Sequence, residues 1–228
     1  MKHLTEIKEK NKSDILRLLY TKRELSKKRI ALELGLSSSV LTKLCNELLN
    51  EGIIIETNPL KSSKVGRKEI GIEINPTYKY CFGITINHKK TAILLVDLKT
   101  NIICQRKFVT LLNAQKHLDN VIDCLSEIIS KYSLDKNSIL GIGISIKGIT
   151  DGTKSYCGIW NSVIDVKGHL EEKLGLPVVM DNGIRCSAML EQFHTNYNNF
   201  LFIKYMEPGI GGAIVKHGRV LRDRKSVV

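Results

Sequence analysis

The sequence contains no apolar run long enough to span a membrane. Its opening residues, Met1-Lys2-His3-Leu4-Thr5-Glu6, also lack the apolar core of a secretory signal. These absences predict a cytoplasmic protein without a membrane partner. The cysteines provide no metal-binding spacing either. Cys45, Cys81, Cys104, Cys124, Cys157 and Cys186 include no C-x-x-C pair, and no His stands at ligand spacing from any of them. Several lie in apolar stretches, where a free thiol acts as a small hydrophobe, so they read as reduced structural residues with no metal site. A disordered chain is excluded as well, because 43% of the 228 residues are hydrophobic. That is enough for one large domain or two ordinary ones.

What the chain does have is positive charge, unevenly spread. The net charge is +12, and residues 1–72 hold 15 basic and 9 acidic groups against 20 and 14 in the remainder. The first part is therefore about twice as charge-dense, as expected of a domain drawn to a phosphate backbone. Its pattern is helical. Ile7, Ile15, Leu16, Leu18 and Leu19 recur at helical spacing over 5–20. Ser26 is a good N-cap for a second helix ending at Leu34, with the break at Gly35. Ser37 caps a third helix that runs to about Glu51 and stops at Gly52. Short helix, Gly-containing turn and longer helix form the helix-turn-helix pattern.

On the third helix Val40, Leu41, Leu44 and Leu48 are expected to face the core. Ser39, Thr42, Lys43 and Asn46 recur on another face, and with Ser37 and Ser38 they form the candidate DNA-reading set. Lys27, Lys28 and Arg29 crowd the first turn of helix two, where cations oppose the helix dipole; contacts of Lys27 and Lys28 with phosphate would compensate. Ile53–Glu56 and the alternating Ile70, Ile72 and Ile74 read as two strands. Between them the polar, basic segment 61–68 forms a wing, with Arg67 beside Gly66 placed to enter a minor groove and Lys68 next to it. A solvated amphipathic helix with a basic surface is the bland alternative, and the added wing favours DNA.

From Tyr78 the pattern becomes α/β. Tyr80–Ile86, Thr91–Asp97 and Ile102–Val109 read as strands and Leu118–Tyr132 as an amphipathic helix. Ile139–Ile146 is a further strand. A helix over Val166–Leu174, a strand at Val178–Met180, a helix over Ile184–Phe193, a strand at Phe200–Tyr205 and a Gly-rich turn, Pro208-Gly209-Ile210-Gly211-Gly212, follow. These residues resemble the ROK family of repressors and sugar kinases. Residues 12–76 look like the DNA-binding domain of its repressor branch. Leu94-Leu95-Val96-Asp97-Leu98, Gly141-Ile142-Gly143-Ile144-Ser145, Leu174-Gly175-Leu176-Pro177-Val178 with Asn182 and Glu191, and Gly209-Ile210-Gly211-Gly212 match its body in order. The resemblance implies a winged helix-turn-helix over 1–76, and over 77–222 the first lobe of an actin-like, ribonuclease-H-like ATPase fold.

The kinase chemistry of that family does not carry over. Its D-x-G-G-T-K turn is matched by Thr85-Ile86-Asn87-His88-Lys89-Lys90, which lacks the acid and both glycines. Its catalytic Asp is matched by Gly183, which cannot accept a proton. The resemblance therefore implies a non-enzymatic, sugar-responsive repressor of carbohydrate genes that binds a double-stranded operator as a homodimer. Asn182, Arg185, Gly209, Gly211 and Gly212 are its candidate ligand residues, although a helix cap explains Asn182 equally well. The alternatives are a sugar kinase with an N-terminal extension, and a DNA-binding protein whose second domain only docks a partner. No cofactor is expected in this chain, because the family's zinc-binding Cys/His cluster belongs to a second lobe of full-length repressors. Residues 223–228 read as a non-native tail, since they match the translation of a sequencing adapter, GATCGGAAGAGCGTCGTG. A sensing domain cut near Arg222 is expected to bind sugar poorly.

Overall fold

The computed structural model describes residues 2–59, 69–157, 160–195, 197–206 and 209–222. The chain divides into two compact units, Met1–Lys79 with Asp97–Asn101, and Tyr80–Val96 with Ile102–Val228. The division falls three residues beyond the boundary read from the sequence.

The first unit contains α1 (Lys2–Lys22), β1 (Glu24–Ser26), α2 (Lys27–Leu34), α3 (Ser38–Asn50), β2 (Ile54–Pro59) and β3 (Ile70–Ile74). The strands form an antiparallel sheet in the order β1-β3-β2. Ser26 caps α2, its side chain accepting from Arg29 N at 3.3 Å. Gly35 ends the helix at φ 64, a left-handed conformation that costs a glycine nothing. One core unites the elements: Ile15 and Leu19 from α1, Ile30 from α2, Leu41, Leu44, Cys45 and Leu48 from α3, and Ile54, Ile72 and Ile74 from the sheet. Val40 departs from expectation. It is 43% exposed, because at about 100° per residue it lies a quarter-turn off the stripe made by Leu41, Leu44, Cys45 and Leu48. The wing tip, with Arg67 and Lys68, lies outside the described residues.

The second unit is built on a five-stranded sheet. Its strands are β4 (Tyr80–Ile86), β5 (Lys90–Asp97), β6 (Ile102–Val109), β7 (Ile139–Ile146) and β11 (Val178–Asn182), in the order β11-β7-β4-β5-β6. β4, β7 and β11 run parallel, with Ile84, Ile144 and Met180 in register. One sheet face is covered by α4 (Ala114–Lys131), through Leu118, Val121, Leu125 and Ile128, and by α5 (Val166–Leu174), through Leu170 and Leu174. Between them lie three short strands, β8 (Ile149–Thr150), β9 (Ser155–Cys157) and β10 (Ser162–Ile164), paired in the order β10-β9-β8.

The fully buried His117 ties several of these pieces together. Its Nδ1 accepts from Leu111 N at 3.3 Å. The proton therefore sits on Nε2, which donates to Thr91 Oγ1 at 2.9 Å. Trp160 Nε1 donates to Leu111 O at 3.0 Å, and its ring lies 5.8 Å from the imidazole.

The chain then forms α6 (Gly183–Thr195), β12 (Phe200–Met206), β13 (Gly209–Lys216) and β14 (Arg219–Val220). The last three make an antiparallel sheet in the order β12-β13-β14. Gly209, Gly211 and Gly212 thus lie in a strand, opposite Met206, Lys204 and Ile203 of β12. This corrects the turn expected from their composition. Phe200, Phe202, Ala213 and Val215 pack with Ile184 and Ala188 of α6. On the opposite face Leu201, Ile203, Tyr205, Ile210 and Ile214 are exposed.

Candidate nucleic-acid interface

The helix-turn-helix is α2 and α3, and its geometry rests on two capped starts. At the second, Ser37 Oγ accepts from Val40 N at 3.4 Å and lies 3.2 Å from Ser39 Oγ. Capping satisfies one of the orphan N–H groups of the first turn and fixes where the helix begins. The far flank is anchored to α1, where Lys12 Nζ meets Glu47 at 3.1 Å and Glu51 at 2.8 Å, and Lys8 meets Glu47 at 2.8 Å. The hydrogen bond to Glu51 raises the Lys12 pKa, and the two lysines lower that of Glu47. With its apolar stripe buried and one flank tied down, α3 has a single free face.

That face carries the predicted residues. Ser37, Ser38, Ser39, Thr42, Lys43 and Asn46 are all exposed. Among the described residues, Ser38, Thr42 and Lys43 make no hydrogen bond or ion pair through their side chains. The two lysines of α2 face carboxylates of the protein itself. Lys27 Nζ lies 3.5 Å from Glu56 Oε1 and 3.4 Å from Asn46 Oδ1, and Lys28 Nζ lies 3.8 Å from Glu69 Oε1. Arg29 pairs with Glu33 along α2 at 2.9 Å. These are surface contacts of small net energy, which a phosphate can replace. The sequence reading assigned Val40 to the core and so missed it as a member of the exposed set. A helical wheel centred on Leu41, Leu44 and Leu48 would have found it.

The candidate ligand residues of the second unit are held by their own neighbours. Asn182 Nδ2 donates to Gly148 O, and its Oδ1 accepts from Ile184 N at 2.8 Å, so both ends of the amide fasten the start of α6. Arg185 Nε bonds Asp181 Oδ1, and its NH2 group donates to Thr150 O at 2.8 Å. Asp181 is buried and takes a second arginine, Arg222, on Oδ2 at 2.9 Å. A Cβ on Gly211 would stand 2.5 Å from the side chain of Ile184, so this glycine lets Ile184 pack against the sheet. A separate open hollow of about 420 Å³, bordered by Gln115, Leu118, Asp165 and His169, contains none of the predicted ligand residues. The described cysteines are free and lie on α3, β4, β6, α4 and α6. Among the described residues, no helix is long and apolar enough to cross a membrane.

Comparison with known proteins agrees with both units. Residues 8–55 match the model of a winged helix-turn-helix DNA-binding domain, and residues 81–227 match that of the ROK family. The xylose repressor of Bacillus spizizenii (strain ATCC 23059 / NRRL B-14472 / W23) is 24% identical over 225 residues, covering 96% of this chain and 58% of that protein. The N-acetylglucosamine repressor of Escherichia coli O6:H1 is 20% identical over 231 residues, covering 97% and 56%. The chain thus spans a little over half the length of these curated relatives. In fold it resembles the crystal structure of a ROK family transcriptional regulator, a homologue of the E. coli Mlc protein. The TM-score is 0.72 at 22% identity, over 96% of this chain and 57% of that one. A ROK family glucokinase from Streptomyces griseus gives a TM-score of 0.53 at 22% identity, over 64% and 47%. The architecture is an N-terminal winged helix-turn-helix followed by the actin-like fold of ROK sugar kinases, and the chain belongs to the ROK family.

Proposed function

We propose that the chain is the DNA-reading part, with a portion of the sensing body, of a sugar-responsive transcriptional repressor. The observation that carries this reading is the free face of α3. A capped helix displays Ser38, Ser39, Thr42, Lys43 and Asn46 to solvent while Lys27 and Lys28 stand beside it on α2. Helix α3 lies in a major groove, Arg67 and Lys68 of the wing reach a minor groove, and Lys27 and Lys28 exchange Glu56 and Glu69 for phosphate. A homodimer sets two such helices about one DNA turn apart on a palindromic operator. A sugar or sugar-phosphate shifts the dimer between binding and non-binding geometries, by as much as its affinities for the two differ. The relatives named as xylose and N-acetylglucosamine repressors support this class of effector. The reading places the protein in the cytoplasm, without a cofactor of its own.

The second unit carries no phosphoryl transfer in this proposal. Gly183 offers no base. Asn182 and Arg185 act first on α6 and Asp181, and any role toward a sugar is exerted through that junction.

Binding-site selection with the purified chain, repeated with a panel of pentoses and hexoses, tests the reading. Enrichment of a palindrome supports it, and release by one sugar identifies the effector. If no sequence is enriched, DNA recognition is refuted. Sugar-dependent consumption of ATP with Mg²⁺ would refute the non-enzymatic part.

A further inference from the structure

The first turn of α3 consists of Ser38, Ser39 and Val40, directly after the capping Ser37. All are exposed, and Val40 alone among them is apolar, with 43% of its surface open to water. It is not needed by the core, which Leu41, Leu44, Cys45 and Leu48 complete. Nor is it a favourable choice for an isolated helix, since a β-branched residue loses rotamer freedom there and gains nothing from solvent. In helix-turn-helix complexes the N-terminal residues of the second helix are the ones that contact base edges. Among the groups on the floor of the major groove, the apolar one is the 5-methyl of thymine. Serine, threonine and lysine serve phosphates and base edges alike, whereas an isopropyl group has no use for either a phosphate or a hydrogen-bonding edge.

We infer that Val40 is a specificity residue that packs against the 5-methyl group of one thymine in each operator half-site. The inference rests on the DNA-binding reading above and adds to it a base and a chemical group. Ser39 and Lys43 flank Val40 on the helix and fix its register, while Lys27 and Lys28 hold the backbone. The contact is one of shape and burial alone, so it contributes to discrimination and not to the salt dependence of binding.

Deoxyuridine pairs as thymine does but lacks the methyl group, and it provides the test. Each thymine of the selected operator is replaced in turn, and affinities are measured for the full chain, Val40→Ala and Val40→Ser. At one thymine per half-site, deoxyuridine is expected to weaken the unaltered chain about fourfold, the value of one buried methyl-sized group. That loss should shrink to near unity in both variants, with the salt slope unchanged. An unchanged slope, with unchanged helix content, also shows that the variants fold. The inference is overturned if every thymine tolerates deoxyuridine, or if the sensitive thymine stays equally sensitive in both variants. If selection enriches no sequence, the DNA-binding reading falls and takes this inference with it. An enriched operator indifferent to the methyl groups overturns this inference alone.

Discussion

The two units differ in where their apolar side chains end. In the first, the described large hydrophobics converge on one core, and only Ile7, Leu32, Val40 and Ile70 are open to solvent. In the second, the five-stranded sheet buries one face just as thoroughly, yet the β12-β13-β14 sheet leaves Leu201, Ile203, Tyr205, Ile210 and Ile214 in water. Exposed single residues are ordinary, whereas a contiguous apolar sheet face is not. The contrast separates two uses of exposure. On α3 the open side chains are polar or basic apart from the single Val40, and they suit a charged partner. On β12 and β13 they are large and apolar, and they contribute little to the stability of the unit that carries them.

Substitutions can break or sharpen that contrast. The largest effect is expected inside the first core. Leu48→Ala removes a side chain that is 1% exposed and should cost about 2–5 kcal/mol in denaturant unfolding, abolishing DNA binding near physiological temperature. Asp181→Ala comes next. It leaves Arg185 of α6 without its carboxylate, and because Arg222 is largely solvated the expected cost is about 2 kcal/mol, confined to the second unit. Ser37→Ala removes the α3 cap and should cost the first unit about 1 kcal/mol.

A pH titration addresses the second unit through its buried histidine. Burial pushes the His117 pKa below its ordinary 6.5, so the folded second unit prefers the neutral ring. Its stability is complete above about pH 6.5 and declines as the pH falls from there toward the lowered folded value. Melting of the second unit between pH 7 and 5 should show this slope, and His117→Gln should flatten it. The smallest effect is expected on the bare face. Ile210→Lys should change unfolding free energy by less than about 0.5 kcal/mol while raising solubility. A loss as large as that of Leu48→Ala would mean that the face is covered in solution.

Much of this arrangement was legible in the residues. β4, β6, β7 and α5 occupy the spans read from alternation and helical period, because regular patterns bounded by polar residues leave little freedom. Ser26, Gly35, Ser37 and Gly52 fixed α2 and α3 through cap chemistry alone. Three-residue strands were not legible. Glu24-Leu25-Ser26 is too short to show a period, and its partner Gly71–Glu73 lies far along the chain. Glycine content misled at Gly209–Gly212, where cross-strand pairing with β12 overrides the local tendency to turn. Arg185 read as a ligand residue, although Asp181, four residues before it at the end of β11, stands at a spacing that lets the two pair across the start of α6. The exposed set on α3 was legible except for Val40, where a residue's character was given more weight than its angle.

Trp160 is the only tryptophan in the chain, and it sits in the second unit, its indole N–H fixed to Leu111 O and its ring beside His117. The protein therefore carries an optical label that one half owns and the other lacks. Excited selectively, it reports the opening of the sheet and hairpin around it, and it is silent when the DNA-reading unit melts. Far-ultraviolet dichroism sees both. Recorded together on one sample, the two signals resolve the stability of each half without cutting the chain.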